Sequence, residues 1–322
     1  MNYINNLVNE NICRQSTLKK SVFFSGIGIH NGKAVSMSIE PSAPNTGITF
    51  IRTDLCNDNI IKATASNIDK SSLCTKITNK KGISVSTIEH LMAALSGMNI
   101  DNATIRINSP ELPALDGSSY DYITKIIKNG IITQNDYRKC IRVLKEIIVC
   151  DESRFISIEP DHKLKIDITI DYPNTIIGNS NFKYEHSQSN FVRLISKART
   201  FAFLDDVEKM RIAGYAMGGN INNAIVVDKF NIINPSGLRL DDEFVKHKTL
   251  DCIGDFYLLG MPLIGSVNCF APGHKLNQKL VKQILNDKSN YRIETMKVVN
   301  ETNDYMNLIN KSHHQNKDSF VA

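Results

Sequence analysis

Ile83-Ser84-Val85-Ser86-Thr87-Ile88-Glu89-His90-Leu91-Met92-Ala93-Ala94-Leu95-Ser96-Gly97 changes its hydrophobic period midway. Ile83 and Val85 alternate with serines, the two-residue repeat of a strand. Ile88, Leu91, Met92 and Leu95 then fall at i, i+3, i+4 and i+7, which predicts a helix over 87–96 ended by Gly97. A strand running straight into a helix sets the class. Upstream, Val35, Met37 and Ile39 alternate with polar neighbours, as do Ile48 and Phe50 after the turn Ala43-Pro44-Asn45-Thr46-Gly47. Downstream come a strand through Ala103, Ile105 and Ile107, a loop at 110–118, and a helix through Ile123, Ile126 and Ile127 that stops near Gly130.

From about residue 136 strands begin again. The clearest is 164–172, with Leu164, Ile166, Ile168, Ile170 and Tyr172 on one face. The stretch 205–240 is rich in glycine and asparagine around a short apolar strand, Ala224 to Val227, and a long helix follows over 242–259. The expectation is an α+β chain of two similar domains, each a sheet with helices. Their bounds are 14–135 and 136–309, after an extension at 1–13 and before a polar tail at 310–322. No residue-level repeat links the halves.

Bulk properties narrow the function. The 322 residues are 42% hydrophobic and 22% charged, an ordinary globular composition. No apolar run approaches the roughly 20 residues needed to cross a bilayer, and the N-terminus lacks the basic start and apolar core of a signal peptide. A cytoplasmic protein without stable membrane insertion is expected. Seven scattered cysteines contain no C-x-x-C pair, so a metal would have to be held by His, Asp or Glu. The net charge of +5 comes without the dense basic stripe of a nucleic-acid binder, and suits an anionic small molecule.

Three places carry chemistry. In His247-Lys248-Thr249-Leu250-Asp251, four residues advance a helix by just over one turn, so the His and Asp side chains share a face, continued by Asp255. Flanked by Phe244, Val245, Leu250, Ile253 and Phe256, such an acidic stripe is partly buried and needs a partner. A salt-bridged helix face and a metal site are both open. In Ser86-Thr87-Ile88-Glu89-His90, the spacing of Ser86 and Glu89 fits a capping box, the simpler reading. The alternative pairs His90 as metal ligand with Glu89 as base. In Ala271-Pro272-Gly273-His274, the histidine is placed by a turn rather than by packing.

These pieces stand in register with further blocks: Ser25-Gly26-Ile27-Gly28-Ile29-His30, Leu115-Asp116-Gly117-Ser118, Ala198-Arg199-Thr200-Phe201, Asn223-Ala224-Ile225-Val226-Val227-Asp228 and Asp242-Glu243-Phe244-Val245-Lys246-His247. Together they resemble the UDP-3-O-acyl-N-acetylglucosamine deacetylases of lipid A biosynthesis, from about Arg14 to residue 300. The resemblance implies two α+β domains with helices packed between two sheets and the site at their junction. It implies zinc (Zn2+) held by His90, His247 and Asp251, three protein ligands with a fourth position left open. It further implies Glu89 as general base, Thr200 as donor to the oxyanion, His274 as protonated acid oriented by Asp255, and Lys248 near the sugar or phosphates.

Phe201 is expected to face substrate, and an insertion around 203–227 to wall an acyl passage with Leu204, Val207, Gly219, Ala224 and Val226. The alternative for those last residues is plain core of the second domain. The implied substrate is a UDP-sugar carrying an acyl chain, the implied partner set holds no nucleic acid, and a monomer is expected. Asn220 stands where a serine is common in the family, about eleven residues precede the usual start, and the tail carries no attached dehydratase domain. Two other readings are an amidohydrolase of the same fold with another N-acyl substrate, and a non-catalytic sugar-nucleotide binder. Retention of Glu89, His90, His247, Asp251 and His274 argues against the second.

Overall fold

Five strands of the first third form one sheet, in the spatial order Val22–Ile27, Ala34–Pro41, Ala103–Ile107, Ile48–Arg52 and Ile60–Lys62. The computed structural model describes residues 13–71 and 73–297, so residues 1–12 of the extension, the polar tail and residues 298–309 of the second domain lie outside the described residues. Val35, Met37 and Ile39 point inward, as their alternation requires. Ile48–Arg52 runs parallel to Ala103–Ile107, with Phe50 opposite Ile105. A parallel pair needs a crossover, and this one carries helix α1, Glu89–Gly97. Helix α2, Tyr120–Asn129, ends at Gly130 and packs on the strand Val22–Ile27.

The second sheet has seven strands centred on Leu263–Phe270. Leu164–Tyr172 lies parallel to that strand, and Leu164, Ile166, Ile168 and Ile170 are buried. The crossover between the two carries helix α3, Leu204–Ile212, and helix α4, Glu243–Phe256. After the central strand, helix α5, His274–Asn286, packs on Ile147–Asp151 and Arg154–Glu159. The α+β class is as expected: sheet, helices, helices, sheet, around one continuous apolar core.

The seam of the molecule is the pairing of α1 with α4. Gly254 makes it close, because a Cβ there would sit 2.1 Å from the carbonyl oxygen of Glu89. No other residue fits without moving the helices apart. Among the described residues no helix is long and apolar enough to cross a membrane.

Local expectations needed adjustment in three places. Helix α1 opens at Glu89 rather than 87, because Thr87 takes a left-handed turn at φ 58°. Helix α3 falls, but for Leu204, in the stretch 205–240 read as rich in glycine and asparagine, where no helix was expected; it buries none of its residues, so it has no apolar stripe to read. Helix α5 was read only as a turn at His274, although Leu276, Leu280, Val281 and Ile284 make an inward stripe.

Candidate active site

Ile88 precedes α1 and no side chain caps the helix, so Ser86 and Glu89 form no capping box. The Ser86 hydroxyl donates instead to the carbonyl of Pro110 at 3.1 Å. Glu89 is turned toward the seam, where its Oε2 accepts from the main-chain N–H of Thr75 at 3.0 Å. Burial pushes its carboxyl up, against the pull of His274 and with the help of Asp251 and Asp255, to about 7. Such a group can hold or release a proton near neutrality.

Across the seam, one turn of α4 presents His247 and Asp251 to His90 of α1. One ligand atom from each of the three lies within 4.8 Å of the others. Oδ1 of Asp251 is 3.4 Å from Nε2 of His247 and 3.8 Å from Nε2 of His90. That oxygen is buried and accepts no hydrogen bond. An orphaned carboxylate oxygen in such a place is costly unless a cation completes it. Burial, reinforced by His247, holds the His90 imidazole down at about 3, and burial lowers His247 as well. Both rings are therefore neutral, the form in which an imidazole can bind a metal. Nδ1 of His247 lies 3.0 Å from the carbonyl of Ala198, a bond that turns Nε2 toward Asp251. Burial works against ionised Asp251, but His247, Lys248, His274 and His90 hold its carboxyl well below the usual range. Two neutral imidazoles and an ionised carboxylate are a fitting donor set for a divalent metal.

His274 opens α5 and reaches the same point. Its Nε2 lies 3.6 Å from Oε1 of Glu89, and its Nδ1 lies 2.9 Å from Oδ2 of Asp255. Asp255, 0% exposed, also accepts from Nδ2 of Asn277 at 2.8 Å and from the hydroxyl of Thr75. Burial alone would lower the His274 imidazole; Asp255, Asp251 and Glu89 outweigh it and raise the ring to about 10. One face of the seam thus holds a carboxylate that titrates near neutrality beside an imidazolium that keeps its proton.

These groups open onto a cavity of about 700 Å³ that runs away from the seam. Thr200, Phe201, Leu204, Val207, Gly219, Ala224 and Val226 all line it, so the predicted wall residues meet on one surface. Phe201–Phe203 pairs in parallel with Ile225–Val227, which joins the two ends of that wall. Gly117 is what lets the wall close on Thr200: the backbone at Asn223 passes so near that a Cβ at φ 81° would meet its carbonyl oxygen at 2.1 Å. Lys248 lines the cavity too, but its ammonium is engaged by Oδ2 of Asp251 at 3.0 Å and lies 5.6 Å from the Phe201 ring centre. Asp255 stands behind His274 and does not line the cavity.

Sequence reading missed Thr75, Asn277 and Gln278, three buried polar residues around Asp255. Asn277 and Gln278 follow His274 closely on α5, and recognising that helix would have put them on its buried side. Thr75 comes from a loop and gave no periodic signal. Arg199 is buried against Glu243, with Nε to Oε1 at 2.9 Å.

Comparison with known proteins agrees with this geometry. The family model described as LpxC, UDP-3-O-acyl N-acetylglycosamine deacetylase, matches residues 15–286. A UDP-3-O-acyl-N-acetylglucosamine deacetylase of Shewanella violacea is 42% identical over 273 residues, 84% of this chain and 89% of that protein. Proteins of the same name from Campylobacter hominis and Myxococcus xanthus are 41% and 42% identical, covering 87% of this chain and 94% and 88% of their own.

Proposed function

The chain belongs to the UDP-3-O-acyl-N-acetylglucosamine deacetylase family, and we propose that it hydrolyses the N-acetyl group of UDP-3-O-acyl-N-acetylglucosamine, releasing acetate and the free amine for lipid A synthesis. The observation that carries the reading is the orphaned Oδ1 of Asp251, set between two neutral imidazoles at the head of an apolar cavity. A bound cation would satisfy that oxygen, and an amphiphilic substrate would use both the polar head and the apolar length.

His90, His247 and Asp251 would hold zinc, which when bound supplies Lewis-acid polarisation of the acetamide carbonyl and acidifies the attacking water. Glu89 takes the proton of that water through Oε1, the oxygen not occupied by Thr75. The hydroxyl of Thr200, on the cavity surface, donates to the oxygen that gains charge as the carbonyl carbon becomes tetrahedral. His274 delivers its Nε2 proton to the departing nitrogen, with Asp255 holding the ring by Nδ1. The C–N bond breaks to give a neutral amine on the sugar and acetic acid; the acid returns a proton to the now neutral His274 and leaves as acetate, and Glu89 releases its proton to solvent. Lys248 holds Oδ2 of Asp251 and stands at the cavity edge to meet the sugar and its phosphates. The acyl chain follows the apolar wall from Leu204 to Val226, and Phe201 flanks its entry.

Seven unpaired thiols support a cytoplasmic setting, and we place the enzyme there as a monomer acting on a soluble nucleotide-sugar. The test is metal analysis of the purified protein together with acetate release from defined UDP-sugars. About one zinc per chain and chelator-sensitive release are expected. Stoichiometric protein that holds no divalent metal and releases no acetate overturns the reading.

A further inference from the structure

Thr75 stands between the two proton-handling groups and belongs to neither of their helices. Its main-chain N–H donates to Oε2 of Glu89 at 3.0 Å, and its hydroxyl donates to Oδ1 of Asp255. The hydroxyl oxygen accepts from Nε2 of Gln278 at 3.2 Å and lies 3.3 Å from Nδ1 of His274. A hydroxyl has one proton, and with the Gln278 N–H on its acceptor side that proton is committed to Asp255. The carbonyl of Thr75 accepts from the N–H of Ile88 at 3.3 Å, which ties the loop to the start of α1. Thr75 is 0% exposed and does not line the cavity.

We propose that Thr75 is a positioning residue that aligns the general base with the general acid. Its backbone bond selects the oxygen of Glu89 that faces the reacting water. Its hydroxyl bond fixes the plane of the Asp255 carboxylate, and through it the ring of His274. Asp255 has three buried donors around two oxygens: Thr75 alone on Oδ1, His274 and Asn277 together on Oδ2. Without the hydroxyl, Oδ1 is left unsatisfied in a dry site, and the carboxylate turns toward its remaining donors, taking the imidazole with it. The inference rests on the deacetylase reading, since it assigns Thr75 a part in that proton traffic.

Thr75→Val removes the hydroxyl at nearly constant shape, Thr75→Ala removes it with the methyl, and Thr75→Ser keeps it. In the zinc-loaded enzyme, Val and Ala are expected to lower kcat by roughly 10- to 100-fold, the loss of one hydrogen bond to a buried charge. KM and metal content should stay at wild-type values, because Thr75 touches neither the cavity nor the ligand triad. Ser should restore most of kcat. Proton NMR gives a readout independent of turnover: the Nδ1–H resonance of His274 should shift in Val and Ala and stay in place in Ser.

Wild-type kcat in Thr75→Val, or a Thr75→Ser enzyme as slow as Thr75→Val, overturns the proposal; the second result would assign the methyl group a packing role. If Thr75→Val fails to fold, Thr75→Ala and Thr75→Ser decide the matter by the same readouts. If the wild type itself releases no acetate, the deacetylase reading falls, while an unmoved His274 resonance in a folded variant still removes Thr75 from the alignment.

Discussion

Glu89, His247, Asp251 and Asp255 stand on two crossing helices, each buried and, apart from one oxygen of Asp251, held by named partners. The cavity wall from Phe201 to Ile233 is made otherwise. Its helix α3 buries nothing, and Ile212 at its end is 89% exposed. What holds the wall is amide chemistry: Oδ1 of Asn234 accepts from the N–H of Val226 at 2.7 Å, and its Nδ2 donates to the carbonyls of Ile221 and Ala224 at 2.8 Å each. Proton transfer demands placement to a fraction of an ångström. An alkyl chain, whose attraction is non-directional, needs only an apolar surface of the right width. Rigidity is concentrated where the chemistry is directional.

That contrast predicts the hierarchy of mutational effects. Asp251→Ala should show the largest: loss of stoichiometric zinc and a fall in kcat/KM on the order of 10³-fold or more, from several kcal/mol of lost carbonyl polarisation. Full metal occupancy in that variant, measured by elemental analysis, would remove Asp251 from the ligand set.

Glu89→Gln comes next, with kcat reduced by roughly 10²- to 10⁴-fold while zinc and folding persist. The pH profile gives the sign. On the proposed mechanism Glu89 works ionised, and its carboxyl is raised to about 7; His274 works protonated, and its imidazole is raised to about 10. Activity therefore rises through the first and falls through the second. A bound dication favours the deprotonated form of both groups, so both limbs lie below those values in the loaded enzyme. Asp255→Asn deletes the carboxylate that raises His274, and its basic limb should move to lower pH. A basic limb that stays put in Asp255→Asn would show that another group sets it.

Effects at the wall should be smaller and selective. Each buried methylene contributes about 0.8 kcal/mol, so removing two carbons from the acyl chain should lower kcat/KM by roughly 15-fold. Ala224→Phe should penalise long chains and spare short ones. Equal losses on both would make Ala224 ordinary core. The smallest effect belongs to Ile212→Ser, expected to change stability by less than about 0.5 kcal/mol and to leave kcat/KM alone. A large drop in melting temperature there would mean that α3 is packed on something.

Several elements with an inward stripe were legible in the sequence, although α5, which also has one, was not read. Leu164–Tyr172 and α4 are where their periodicity put them, since burial against a sheet imposes that pattern. Helix α3 escaped because a helix that buries no residue has no pattern to impose. The His90, His247 and Asp251 cluster was not legible from spacing: His90 and His247 meet because Gly254 lets two distant helices touch, and family resemblance supplied what periodicity could not. Glu89 shows the converse, a local signature overruled. Its spacing from Ser86 suits a cap, but the left-handed turn at Thr87 shifts the helix start and frees the carboxylate for the seam.

The close approach at Gly254 also bears on how the protein matures. His90 stands on one side of the seam, His247 and Asp251 on the other, so neither helical layer owns a complete ligand set. If the three hold an ion, its full coordination waits until the layers have met, and the ion would then staple them. A metal held there would bind the assembled chain more tightly than its parts, and would stabilise assembly by mass action, in step with the logarithm of its free concentration. On that reading the seam that Gly254 lets close is also the step on which complete metal coordination depends.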